Sequence, residues 1–183
     1  MRSKIFLLVL LFSICIHFNN ALAQSEQKAL FGIGAGLDYG GLGVKAEFQP
    51  ISHLGAFAGF GYNFANPAYN AGVSFKLTPG RKICPTLVAM YGYNAAIKLD
   101  YGNGNRYSKT YYGPSVGAGI ETLTRDGKKN WTFEIFLPFR SSAFHTEYDA
   151  LKDSGVEFNP DILPVTFTVG YNFSIGGRAL GRT

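Results

Sequence analysis

Residues 141–161 contain the side chains whose types and spacing most resemble a reaction centre. They include a histidine, two hydroxyls and two carboxylates close together in the chain: Ser141, Ser142, His145, Glu147 and Asp149. In a hydrolytic triad, an imidazole that is oriented by a carboxylate removes the proton from the attacking hydroxyl. A hydrolytic enzyme that uses the 141–161 loop is therefore one hypothesis. Because the same residue types are common in solvated loops, we predict no catalytic residues and a non-enzymatic protein.

Side chains that bind metal ions are scarce. Beyond residue 23 the histidines are His53 and His145, and Cys84 is the single cysteine. A structural zinc site takes four Cys or His ligands, which these residues do not supply. We therefore predict no metal site and no cofactor. A single cysteine also cannot form an internal disulfide, which favours an exported bacterial protein over a secreted eukaryotic domain.

The 141–161 segment is also acidic. Its carboxylates outnumber its single lysine, and the predicted surface-loop site consists of Glu147, Asp149, Asp153 and Glu157. Such a loop can recognise a basic partner or hold a divalent cation that bridges to anionic lipopolysaccharide. It can equally be a passive solvated cap.

The elements that position these residues follow from hydrophobic periodicity. From Leu163 to Phe173, apolar or aromatic residues occupy every second position, and small or polar residues lie between them. Successive side chains of a strand point to opposite faces, so the pattern predicts a strand with one apolar face. Its length suits a tilted strand that crosses a bilayer.

The same alternation recurs along the chain. We predict eight strands, at 30–38, 42–49, 54–63, 70–77, 84–98, 111–123, 131–140 and 163–173. The long connections, 99–110 and 141–161, belong to one rim, and the short turns belong to the other rim together with both termini. The predicted fold is an all-β, eight-stranded antiparallel up-and-down transmembrane β-barrel.

The two faces of the predicted strands differ in polarity. One face carries large apolar side chains that we expect to contact lipid, among them Tyr91, Tyr93, Trp131, Phe133, Phe167 and Phe173. The other face carries most glycines, Lys98, and a predicted interior charge network of Lys45, Glu47, Lys76, Glu121, Glu134 and Arg140. Glu121 and Glu134 share a hairpin and would repel each other, so we expect Lys45 or Lys76 to reach them from other strands. Paired charges would then fill and block the narrow interior.

A soluble, exported ligand-binding barrel is a further alternative. Lipocalin-like barrels also have eight strands, but they place their apolar side chains inside. The charged, glycine-rich face predicted here does not suit an apolar ligand core. The pattern therefore favours the membrane barrel.

The N-terminal residues predict export. Arg2 and Lys4 form a basic region, 5–16 is an apolar run, and Ala21 to Ala23 forms a small-residue cleavage motif, as in a secretory signal peptide. We assign residues 1–23 to a cleaved signal peptide and residues 24–183 to the barrel domain. Loss of the two basic residues lowers the formal net charge from +5 to +3. No later stretch has enough consecutive apolar residues for a transmembrane helix.

From residue 30 to residue 173 the chain resembles the small bacterial outer-membrane β-barrels, the porin-like and OmpX-like eight-stranded barrels. The matching features are the alternating strands, the Gly-rich 31–36 segment and the closing 169–173 segment. The resemblance implies a location in the Gram-negative outer membrane and a barrel fold. It does not imply one activity, since such barrels serve as anchors, adhesins, narrow pores and occasionally lipid-modifying enzymes. Our leading hypothesis is an envelope-structural or surface-interaction role, and the alternative is a lipid-modifying enzyme that uses the 141–161 loop. It also implies contact with outer-membrane lipids and recognition of Phe173 by the barrel-insertion machinery. We expect a monomer. We also expect no binding of nucleic acid, because the basic residues fall on turns and chain ends.

Overall fold

A computed structural model of the chain describes residues 28–100, 106–125, 128–156 and 162–175. The predicted signal peptide, residues 1–23, lies outside the described residues. The same is true of Glu157 in the predicted surface-loop site. No helix in these ranges is long and apolar enough to span a membrane.

The described chain forms one closed, all-antiparallel barrel in which each strand pairs with its neighbours in sequence. The strands are β1 (Lys28–Gly36), β2 (Gly41–Ile51), β3 (Leu54–Tyr62), β4 (Pro67–Lys76), β5 (Ile83–Asp100), β6 (Arg106–Leu123), β7 (Lys129–Pro138) and β8 (Thr166–Ile175). Closure comes from the pairing of β1 with β8, in which Gly34 lies opposite Gly170. The predicted all-β, eight-stranded up-and-down topology is confirmed.

Strand β7 shows why the alternating sequence makes a barrel wall. Exposure alternates at every residue along the strand. Thr132 and Glu134 point inward and are buried, whereas Ile135 points outward and is 50% exposed. A strand has a side-chain period of two, so this register places every large apolar side chain of β7 except Phe136 on the outside.

Strands β5 and β6 extend beyond the barrel as a long hairpin. Each has 18 residues, and residues 93–100 of β5 pair only with residues 106–112 of β6. The loop prediction for 99–110 is therefore wrong for residues 99–100 and 106–110, which are strand, and residues 101–105 lie outside the described residues. The ladder continues because each strand of the hairpin satisfies the backbone groups of the other.

A β-bulge between Tyr93 and Ala95 shifts the register of this hairpin. Beyond the bulge the faces are exchanged, so Ile97 is buried and Lys98 is exposed. Tyr93 packs against the apolar cluster inside the barrel. The predicted lipid contact of Tyr93, which lies at the bulge itself, is therefore wrong. The predicted interior position of Lys98 is also wrong, because one extra residue inverts the parity of all that follow.

The predicted 141–161 loop contains a helix, α1 (Ser142–Asp153). Ser141 is its N-cap, and the Ser141 side chain accepts a hydrogen bond from the Phe144 backbone. Phe144, Tyr148 and Leu151 pack toward the β5–β6 hairpin, at the spacing that places side chains on one face of a helix. The loop assignment is therefore wrong for residues 142–153.

Candidate functional site: the barrel lumen and the platform at its rim

The turn between β1 and β2 folds into the barrel. Leu37 is 3% exposed, and Asp38 and Tyr39 are each 0% exposed. We call residues 37–40 the lumen turn. A four-residue connection at a barrel rim usually projects into solvent, so its burial is the least expected feature of the molecule.

Hydrogen bonds and an ion pair attach the lumen turn to several strands. Asp38 forms an ion pair with Lys45 of β2. The Tyr39 hydroxyl donates to Asn172 Oδ1 of β8 at 2.9 Å. The Leu37 amide donates to Thr168 Oγ1 at 3.1 Å, which satisfies a backbone donor that would otherwise be buried without a partner. The turn is thus fixed to β2 and β8, the two strands that flank β1.

The glycines of the inner face make room for this turn. A Cβ at Gly170 would lie 2.0 Å from the Tyr39 hydroxyl, and one at Gly34 would lie 2.7 Å from the Tyr39 ring. A Cβ at Gly59 would lie 1.9 Å from the Asp38 carbonyl oxygen. No side chain larger than hydrogen fits at such distances, so the inner-face glycines form a groove for Tyr39 and its neighbours.

An apolar cluster fills the lumen beside the turn. Its buried members are Leu37, Phe57, Val88, Met90 and Phe136, and Tyr93 packs against them. These side chains come from the lumen turn and from strands on different sides of the barrel. Close-packed side chains leave little space for a continuous aqueous path.

A chain of polar contacts crosses the lumen next to this cluster; we call it the polar belt. It begins at Tyr39 and Asn172 and continues as Asn172 Nδ2 donates to Asn130 Oδ1 at 2.7 Å. Asn130 Nδ2 in turn donates to Glu121 Oε1 at 2.9 Å. The belt therefore joins the lumen turn to β8, β7 and β6.

Lys76 continues the polar belt to the other side of the barrel. Its ammonium lies 2.5 Å from Glu121 Oε2 and 3.7 Å from Glu47 Oε1. Glu47 Oε1 also accepts hydrogen bonds from Gln49 at 2.7 Å and from Ser74 at 3.1 Å. One lysine thus lies between two carboxylates, whose remaining acceptors are partly occupied by neutral side chains.

The structure places five of the six residues of the predicted charge network inside the barrel. Lys76 approaches Glu121 from another strand, and Lys45 approaches Asp38, which the sequence did not single out. Glu134 Oε2 is buried and has no hydrogen-bond partner within the described ranges. The lumen thus joins two cationic side chains to acids of the wall and of the lumen turn.

Arg140 does not join this network: among the described residues it makes no ion pair with the other predicted network residues. It lies two residues past the end of β7 at Pro138 and is half-buried at the rim. The Arg140 guanidinium donates to the Leu163 carbonyl oxygen at 2.6 Å and lies 5.7 Å from the centre of the Phe144 ring. Arg140 therefore ties α1 to the segment before β8.

The projecting part of the β5–β6 hairpin and α1 form a second folded unit, which we call the platform. Its buried core consists of Ala95, Ile97, Tyr111 and Phe144. The Tyr111 and Phe144 rings meet edge to face with centroids 5.1 Å apart. Such packing gives the platform a fixed shape, whereas composition predicted polar, solvated loops.

Glu147 joins α1 to the hairpin. Its carboxylate accepts hydrogen bonds from the Tyr107 hydroxyl and from Lys109 Nζ, the latter at 2.5 Å. Partial burial acts to raise the pKa of Glu147, but the hydrogen bonds from Lys109 and Tyr107 outweigh it and lower the pKa to about 2. Glu147 is therefore a structural contact, whereas Asp149 and Asp153 are exposed on α1.

Two of the residues considered for a hydrolytic triad are engaged elsewhere, whereas Ser142 and Asp149 are exposed on α1. Ser141 Oγ caps the helix through the Phe144 amide at 3.3 Å, and Glu147 binds the hairpin. His145 is exposed, and its ring contacts Phe144. No group of three or more His, Cys, Asp or Glu side chains in the described part of the chain is placed to hold a metal ion.

Among solved structures, the N-terminal β-barrel domain of Pseudomonas aeruginosa OprF is similar to this chain, with a TM-score of 0.55 and 8% sequence identity. The match covers 83% of this chain and 100% of that chain. Ail, the attachment invasion locus protein of Yersinia pestis, solved with the heparin analogue sucrose octasulfate, gives a TM-score of 0.40 at 10% identity, over 83% of this chain and 100% of that chain. No family model matches the sequence, and no curated protein matches it. At this identity the likeness to the OprF domain shows the fold alone, a closed antiparallel β-barrel, in agreement with the predicted fold.

Proposed function

We propose that this protein is a non-enzymatic barrel of the bacterial outer membrane, with a closed lumen and a folded platform that makes contacts at the cell surface. One observation carries the membrane location: the charged side chains are inside and the large apolar ones are outside. Lys45 and Lys76 are each 5% exposed, whereas Tyr91 and Phe167 are 63% and 65% exposed. A continuous outward apolar belt of this kind is unfavourable in water and suits the hydrocarbon of a bilayer.

The filled lumen argues against the soluble ligand-binding alternative. Its volume is occupied by the lumen turn, by the apolar cluster around Phe136 and by the polar belt. The engaged side chains of Ser141 and Glu147 argue against a lipid-modifying triad that uses either residue, because neither is free to act with His145. A closed, non-enzymatic barrel accounts for both arrangements.

We infer the orientation of the barrel in the membrane from the usual topology of outer-membrane barrels, in which the termini and short turns face the periplasm. We infer that the signal peptide directs export and is removed, and that the barrel-insertion machinery recognises Phe173. The platform then faces outward as part of a monomer. Its exposed carboxylates, Asp149 and Asp153, would meet a basic partner or hold divalent cations that bridge to lipopolysaccharide.

Cysteine accessibility on intact Gram-negative cells tests this proposal. In a Cys84→Ala background, Asp149→Cys places a thiol on the platform and Arg81→Cys places one on a turn at the opposite rim; both positions are exposed. We expect both proteins in the outer-membrane fraction. A membrane-impermeant maleimide should label position 149 on intact cells and position 81 only after permeabilisation. Recovery in the soluble fraction, or the reverse labelling, would contradict the proposal.

A further inference from the structure

Phe64, in the turn between β3 and β4, has an unusual backbone conformation. Its φ is 65°, and it is the one non-glycine residue with positive φ in the described part of the chain. For a bulky residue the left-handed region is unfavourable, and such conformations persist only where the surrounding structure enforces them. A turn that served only to reverse the chain would use glycine or asparagine here.

Asn63 enforces this conformation from within the turn. Its side-chain oxygen accepts hydrogen bonds from the amides of Ala65 at 3.0 Å and Asn66 at 2.7 Å. Its side-chain nitrogen donates to Thr110 Oγ1 at 3.0 Å. A single asparagine therefore closes the turn and attaches it to strand β6.

Asn66 adds a second attachment on the other side of Phe64. Its side-chain nitrogen donates to Ser108 Oγ at 3.0 Å and lies 3.3 Å from Thr110 Oγ1. Both acceptors lie on the projecting hairpin. The turn is thus held at both ends, and the strained residue is the one between them.

The ring that this arrangement fixes lies on the outside of the barrel. Phe64 is 62% exposed and meets the Tyr62 ring edge to face, with centroids 6.5 Å apart. Tyr62, Phe60 and Tyr69 belong to the outward apolar belt and are 51%, 60% and 59% exposed. The Phe64 ring therefore continues the apolar belt past the end of β3.

We propose that Phe64 is a lipid-contact residue, whose ring inserts into the outer leaflet at the boundary between headgroups and acyl chains. Asn63 and Asn66 are its positioning residues. Aromatic rings are favoured at this depth, where one side of the ring meets hydrocarbon and the other meets polar groups. The inference rests on the proposed membrane location, and continuity with the belt through Tyr62 identifies lipid as the occupant.

The single tryptophan of the chain, Trp131, makes a direct test possible. Trp131 points outward on β7 and is 45% exposed, so the unmodified protein reports insertion of the barrel. The variant Trp131→Phe/Phe64→Trp moves the sole tryptophan to the turn. Both proteins are refolded into phosphatidylcholine vesicles with or without bromine on the acyl chains near the headgroup, and folding is verified by circular dichroism.

We expect the brominated vesicles to quench tryptophan at position 64 as strongly as Trp131. Quenching of Trp131 alone would overturn the inference and leave the membrane location intact. This is also the result expected if position 64 faces a macromolecule on the cell surface instead of lipid. Quenching of neither would overturn both. Adding Asn66→Ala to each protein separates positioning from folding: quenching should fall at position 64 and stay unchanged at Trp131. Unchanged quenching at both positions would refute the positioning role.

Discussion

A single lysine balances two carboxylates inside the barrel, and its environment explains why the lumen stays closed. Lys76 is 5% exposed and lies within ion-pair distance of Glu47 and Glu121. Neither carboxylate has another lysine or arginine at ion-pair distance among the described residues. The polar belt therefore depends on one side chain more than on any other.

We predict that Lys76→Met destabilises the folded barrel by about 3–5 kcal/mol, because removal of one partner leaves buried charge without compensation. Urea unfolding in detergent micelles measures the loss. The triple variant with Glu47→Gln and Glu121→Gln is the control, since it removes the negative charges as well. It should recover most of the stability, and a triple variant as unstable as Lys76→Met would contradict the charge argument.

Tyr39 and Gly170 provide a test of the groove that receives the lumen turn. Gly170→Ala should cost about 1–3 kcal/mol through overpacking, because its Cβ would collide with the Tyr39 ring. In a Tyr39→Ala background the same substitution should cost clearly less, by a coupling energy of about 0.5–3 kcal/mol. Gly113→Ala, whose Cβ would meet Asn94, is the matched control and should be additive with Tyr39→Ala. Equal coupling in the two pairs would show that Tyr39 does not lie against Gly170.

At the scale of elements, α1 is docked on the β5–β6 hairpin by apolar packing and by one carboxylate. The pKa of Glu147 is lowered from its ordinary value of 4.5 to about 2, so the ionised form is favoured in the docked state. A carboxyl group whose pKa is lower in the docked state stabilises docking at pH values above its undocked pKa. This stabilisation is lost as the pH falls through the docked pKa. The α1 contact should therefore be constant from neutral pH to about 4.5 and weaken as pH approaches 2.

Side-chain NMR signals of Tyr148 and Leu151 in micelles follow this transition, because both residues pack in the platform core. Glu147→Gln should remove the pH dependence between about 4.5 and 2, whereas Asp149→Asn, on the exposed side of α1, should leave it unchanged. A transition that persists in Glu147→Gln would assign the acid sensitivity to another group.

The elements also show how far sequence reasoning reaches. Alternation correctly placed Glu134 inside and Ile135 outside, because a regular strand has a fixed period. Alternation failed for Tyr93 and Lys98 because nothing in the local composition distinguishes the bulged part of β5 from the other glycine-containing strands. For Arg140 it could not name the partner, since this side chain makes no ion pair with the network among the described residues and instead binds the Leu163 carbonyl oxygen. Helix α1 carried a readable signal in the spacing of Phe144, Tyr148 and Leu151, which the polar composition concealed.

At the scale of the whole molecule, the outward face should respond to charge according to depth in the membrane. Ile135 lies in the middle of β7, and Ile83 begins β5 at the rim of short turns. In lipid vesicles, Ile135→Arg should cost about 2–4 kcal/mol and Ile83→Arg about 0–1 kcal/mol. Urea titration in bilayers measures both, and equal costs would mean that the two positions do not differ in depth.

The lumen turn is the part of the architecture that the sequence predicted least. Gly-rich strands suggested a narrow interior, and the prediction of a blocked lumen relied on charges alone. Asp38 and Tyr39 enter the interior between glycines that are distant in sequence, including Gly59 and Gly170. Such a groove exists only once the barrel has closed, so no local pattern reveals it.

Conduction follows from how the whole interior is filled, and it can be tested by removing the lumen turn. The intact protein should show no steady conductance in planar bilayers, because the turn, the apolar cluster and the polar belt together occupy the lumen.

Gly36 pairs with Gly41, so replacing residues 37–40 with Asn-Gly gives a two-residue hairpin turn that preserves the strand register. This variant removes Leu37 from the apolar cluster, the hydrogen bond between Tyr39 and Asn172, and the ion pair between Asp38 and Lys45. We therefore expect small, discrete currents from it. A steady porin-sized current from the intact monomer would contradict the closed lumen. A silent variant that is folded by circular dichroism would instead assign closure to the side chains of the barrel wall.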